Sequence, residues 1–121
     1  MNQRLLLFLI GLINCISCNR YENKKRYEIP VGKTVEIYYS TNSCCYYCLA
    51  NENELKHIKF VDKKMIDPGP RDCEGCDYTG AFVFKTESKG VDTVKLKLIE
   101  ATMECDTNDN ITLERYIIEA K

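Results

Sequence analysis

The sequence predicts an all-β fold: an antiparallel sandwich stapled by disulfides. Three observations carry this expectation. Apolar side chains recur at every second residue in short runs, turn-forming residues separate those runs, and six cysteines crowd the chain after residue 40. A two-residue period puts alternate side chains on one buried face of a sheet, and short strands in regular succession suit two stacked sheets.

The first element is a leader. Arg4 precedes the apolar run from Leu5 to Ile13, which is shorter than the roughly 20 residues of a spanning helix and fits the core of a signal peptide. The expected organisation is a signal peptide over 1–17, a polar tether over 18–26 and one β domain over 27–121, the size of an ordinary single domain. Cys15-Ile16-Ser17-Cys18 resembles a bacterial lipobox. On that reading Cys18 carries a lipid and the protein is membrane-anchored; ordinary cleavage near Ser17 gives a secreted product instead. Both place the domain outside the cytoplasm. The 17 basic and 18 acidic residues are mixed along the chain, so nothing points to a nucleic-acid partner.

Within the domain, residues 34–39 alternate through Val35, Ile37 and Tyr39 after the turn pair Val31-Gly32. Residues 58–61 form a short apolar piece, and Asp67-Pro68-Gly69-Pro70 then forces a turn. Phe82 and Phe84 share a face of the run 80–86; Val94, Leu96 and Leu98 share one of 91–99, with Lys95 and Lys97 opposite. Lys89-Gly90 joins those two runs as a hairpin turn. Residues 112–120 close the chain with Leu113, Tyr116, Ile117 and Ile118, while 49–58 hold a helical turn or two at most.

With Cys15 in the leader and Cys18 assigned to lipid, Cys44, Cys45, Cys48, Cys73, Cys76 and Cys105 remain. In an oxidising compartment these read as three disulfides. Spacing leaves their connectivity open, although adjacent cysteines do not easily reach the usual Cα separation, so Cys44 and Cys45 are expected to take different partners. Cys45-Tyr46-Tyr47-Cys48 with Cys73-Glu74-Gly75-Cys76 has the spacing of a zinc site, a use that export through an oxidising compartment disfavours. A thioredoxin-like redox site lacks its helix. His57 is the single histidine and forms no recognisable nucleophilic pair with a cysteine. No catalytic residue, metal or cofactor is therefore expected.

The strands and loops so placed resemble the chagasin family, immunoglobulin-like inhibitors of papain-type cysteine peptidases. Val31-Gly32-Lys33-Thr34-Val35 is similar to the opening of that family's second strand, Asn42 stands where its Asn-Pro-Thr-Thr-Gly loop begins, and Gly75 fits the first glycine of its Gly-x-Gly-Gly loop. The register then runs through Phe82, Phe84, Gly90, Val94, Leu96 and Leu98. The resemblance implies an immunoglobulin-like sandwich, and the three loops depart from the family's pattern. The first keeps Asn42 and Tyr47 but not the proline, threonines or glycine; the second keeps one glycine; Glu100-Ala101-Thr102 replaces Arg-Pro-Trp.

What the resemblance implies for function is a monomer that occludes the cleft of a papain-like cysteine peptidase with three loops. These are Asn42, Ser43, Cys44, Cys45, Tyr46 and Tyr47; then Gly75, Cys76, Asp77 and Tyr78; then Glu100, Ala101 and Thr102. All six cysteines then fall at the loop end, where bridges from loop to loop would hold the wedge rigid and reduce the entropy lost on binding. The alternative is an adhesion or assembly module on the same fold, without inhibition.

Overall fold

Among the described residues, seven strands build two sheets: β1 (Arg26–Ile29), β2 (Thr34–Thr41), β3 (Tyr46–Leu49), β4 (Ile58–Asp67), β5 (Tyr78–Thr86), β6 (Gly90–Ile99) and β7 (Leu113–Ala120). The computed structural model describes residues 21–100, 102–108 and 113–121. The expected leader, Cys18 and Ala101 lie outside the described residues. One sheet has the order β1-β7-β6-β3 and the other β2-β5-β4. All pairings are antiparallel except that of β1 with β7.

The alternation read from the sequence sets the core. Val35, Ile37 and Tyr39 of β2 lie opposite Phe84, Phe82 and Gly80 of β5, and these side chains meet Val94, Leu96, Tyr116 and Ile118 of the other sheet in one buried cluster. Phe82, Phe84, Ile37, Leu96, Ile118 and Val94 are essentially inaccessible to solvent. Burying a side chain of this kind contributes about 1.5–3 kcal/mol.

Four features differ from the sequence reading. Residues 23–26, expected in the tether, form an edge of the sandwich: the Asn23 amide donates to the Tyr38 carbonyl at 2.6 Å and accepts from its N–H at 2.8 Å, and Arg26 opens β1. Strand β3 begins inside the segment expected to be the first loop. Strand β4 runs to Asp67, beyond the expected end at Val61, because register shifts after Phe60 and after Met65 break the alternation without ending the pairing. Finally, Lys97 does lie opposite the core face, yet it is only 4% exposed, whereas Leu98 on the core face is 40% exposed. The Lys97 ammonium donates to the Glu104 carbonyl at 3.4 Å and pairs with Asp106 at 3.2 Å, so residues 104–106 fold back over the outer face of β6. Leu98 instead sits at the end of the inner row, near the rim.

Candidate functional site at the three-loop end

Strand register decides which loops can act together. Thr41 pairs with Tyr78 and Tyr46 with Ile99, while Asp67 pairs with Thr79. The described segments 42–45, 68–77 and 102–108 therefore lie beyond strand ends at the same end of the sandwich. The turns 30–33 and 87–89 lie at the other. The three segments expected to converge do so, with Ala101 outside the described residues.

The first loop is shaped by Asn42. Its side-chain oxygen accepts the Cys44 N–H at 3.1 Å and its carbonyl accepts the Cys45 N–H at 3.4 Å. These bonds fold the chain back on itself, as Asn does in many turns, and leave Ser43 and Cys44 exposed. Thr41 fixes the loop's exit by donating from its hydroxyl to the Cys45 carbonyl at 3.1 Å. In the second loop residues 71–77 are exposed. Gly75 takes a positive φ of 82°, which favours glycine, and a β-carbon there would lie 3.8 Å from Ser43 Oγ, so the second loop rests beside the first. In the third segment Glu100, Thr102, Met103, Glu104 and Cys105 are exposed.

The expected aromatic contacts separate into two kinds. Tyr46 is 42% exposed. Tyr47 is its neighbour on β3 and points the other way, as the pleat requires: its ring lies 5.5 Å from that of Tyr39 and its hydroxyl donates to Glu114 at 3.0 Å. Burial, reinforced by the Glu114 charge, pushes the Tyr47 phenol up to about 12. Tyr78 is half-buried and packs edge-on against Tyr39, with ring centroids 6.4 Å apart. Tyr47 and Tyr78 thus support the end of the sandwich from within, and Tyr46 is the tyrosine displayed there. Sequence spacing could have shown this, since Tyr47 and Leu49 keep the period of β3 and Tyr46 is out of phase with them.

Lys63 was missed by sequence reasoning. The register shift after Phe60 brings it opposite Phe82, on the core side of β4. Its ammonium lies 5.2 Å from the Phe82 ring centre, 5.3 Å from that of Tyr39 and 5.8 Å from that of Tyr46. It donates to the Tyr47 carbonyl at 2.5 Å. Lys63 thereby ties β4 to β3 across the open side of the sandwich, and burial holds its pKa below the usual lysine range. The signal was a bulge, which a strict alternation rule does not detect.

All six cysteines gather at this end, as expected, but their pairing differs. Cys44 joins Cys45, Cys73 joins Cys76 and Cys48 joins Cys105. The expectation that Cys44 and Cys45 take different partners is overturned, and two of the three bridges stay within a loop. The partners of those two bridges are one and three residues apart in sequence. Only Cys48–Cys105 links separate segments, pinning the third one to β3. These pairings also divide the Cys45, Cys48, Cys73 and Cys76 set that had the spacing of a zinc site; among the described residues no cluster of three or more His, Cys, Asp or Glu side chains is arranged to hold a metal.

No protein-family model and no curated protein matches the sequence. Among solved structures, the cysteine protease inhibitor EhICP2 from Entamoeba histolytica is similar in fold, with a TM-score of 0.60 at 13% identity over 79% of this chain and 86% of that one. That likeness is one of fold, and with the two sheets described above it shows that this chain is an immunoglobulin-like β-sandwich stapled by disulfides at one end.

Proposed function

We propose that this chain is an exported inhibitor of papain-like cysteine peptidases, acting by reversible occlusion of the active-site cleft. The observation that carries the reading is the convergence of residues 42–45, 68–77 and 102–108 at one end of a sandwich similar in fold to a solved cysteine protease inhibitor. Ser43, Cys44, Tyr46, residues 73–77 and Thr102 supply the exposed contacts. Asn42, Tyr47 and Tyr78 shape the surface from behind. The chain contributes no catalytic group in this reading. A turn fixed by Asn42 and a segment pinned by Cys48–Cys105 limit the ordering needed on binding. Export by residues 1–17, with a lipid on Cys18, places this activity outside the cytoplasm.

Steady-state inhibition of a panel of papain-like peptidases by the oxidised protein tests the proposal. Concentration-dependent, reversible inhibition is expected, and Tyr46→Ala should weaken it by about tenfold, or ~1.4 kcal/mol, as for an exposed interface aromatic. Reduction should weaken it as well. Absence of inhibition across the panel would remove this reading and leave the adhesion or assembly role.

A further inference from the structure

The Cys44–Cys45 bridge differs from the other two in a way that follows from connectivity alone. Adjacent residues share one peptide bond, which holds their Cα atoms 3.8 Å apart. Relaxed disulfides have Cα separations of roughly 4.4–6.8 Å, and departures from that range make the bond easier to reduce. Cys73–Cys76 at 5.6 Å and Cys48–Cys105 at 6.2 Å fall within it. The strained bridge is also open to solvent, as Cys73 and Cys76 are. Cys44 is exposed at the tip of the first loop, Cys45 is half-buried behind it, and the two hydrogen bonds from their N–H groups to Asn42 hold the pair in that orientation.

We propose that Cys44–Cys45 is a thiolate-reactive site that captures the catalytic cysteine of the bound peptidase as a mixed disulfide. This rests on the inhibitor reading above and adds a covalent, redox-dependent step to it. The peptidase thiolate attacks Sγ of Cys44, a new S–S bond forms between the two proteins, and the Cys44–Cys45 bond breaks. Its electron pair leaves on Sγ of Cys45 as a thiolate, which takes a proton from solvent. One disulfide is consumed and one is formed, so no further oxidant is required.

Reclosure by Cys45 is the competing step. For a relaxed C-x-x-C pair such as Cys73–Cys76 it is favoured, whereas here it must regenerate the strained ring. The attacking group must be both accessible and ionised, and a peptidase's catalytic cysteine, paired with histidine, meets both conditions near neutral pH.

The test uses the full chain prepared under oxidising conditions, mixed with active papain or with papain whose catalytic thiol has been alkylated. Products are separated without reductant, and the linkage is located by peptide mass mapping. A papain adduct through Cys44, absent with alkylated papain and lost on reduction and in the Cys44→Ser, Cys45→Ser double variant, is expected. Inhibition with no adduct overturns the capture step while leaving reversible occlusion intact. Absence of both inhibition and adduct overturns the inhibitor reading and the capture step together. A linkage map joining Cys44 and Cys45 to Cys73 and Cys76 also overturns the inference, since no strained bridge would then exist.

Discussion

Tyr39 hydroxyl occupies the space that a β-carbon on Gly80 would need, directly across the β2–β5 pairing. Gly80→Ala must displace a buried ring whose neighbours are Tyr47, Tyr78 and Phe82. A loss of about 1–3 kcal/mol in urea unfolding is predicted, the usual cost of overpacking. A second residue-scale device is Glu114, which accepts from Tyr47 at 3.0 Å and from Tyr116 at 3.1 Å. Burial first, and the Glu114 charge second, push both phenols up to about 12 from 10.0. A folded-state pKa raised above the unfolded one stabilises the fold fully below pH 10, and that contribution is lost as the pH rises toward 12. The loss is on the order of 2 kcal/mol for the 5%-exposed Tyr116. Urea midpoints measured across this window should fall for the natural protein and fall less for Tyr116→Phe; parallel curves would contradict the assignment.

At the scale of elements, two asparagines continue ladders where strands stop. Asn23 satisfies both backbone groups of Tyr38 on edge strand β2, which also blocks pairing with another chain. Asn51, only 1% exposed, accepts the Lys95 N–H at 2.9 Å and donates to the Thr93 carbonyl at 2.7 Å, extending β6 beyond the end of β3. Asn51→Ala leaves both groups unpaired and is predicted to cost about 2–4 kcal/mol by chemical denaturation. These elements also show what was legible. Strands β2, β5 and β6 were readable because apolar alternation runs through the residues that form the core. Strand β3 was hidden because cysteine spacing drew attention to a loop, although Tyr47 and Leu49 alternate with Tyr46 and Cys48. The length of β4 was hidden by its bulges, and β1 by the basic run before it, since its pairing with β7 is set by chain-distant contacts. The three-loop end was legible only through the family resemblance that Asn42, Gly75 and the strand residues carry, and the cysteine pairing was not legible, because it depends on turns that spacing does not encode.

At the scale of the whole molecule, the described cysteines lie at one end and the turns 30–33 and 87–89 at the other; β5 and β6 belong to different sheets, so Lys89-Gly90 crosses between the sheets and does not form the hairpin turn expected from the sequence. Cys48–Cys105 spans 57 residues of sequence. Chain-entropy arguments give such a link about 4 kcal/mol, less any strain in the folded state. Replacing both cysteines with serine should lower the melting temperature and release residues 104–106 from the outer face of β6, where Lys97 now pairs with Asp106. That pairing holds the Asp106 carboxyl below its usual range. A double variant with unchanged melting temperature and unchanged exchange in that segment would contradict the pinning role.

The central claim is that the three-loop end is the docking surface. Amide hydrogen exchange of the oxidised protein, free and bound to a papain-like peptidase with its catalytic thiol blocked, tests it most directly. Protection is predicted at residues 42–46, 73–78 and 100–105, with none at 30–33 or 87–89. Protection confined to the opposite end, or none at any of the three segments in a formed complex, would contradict the account.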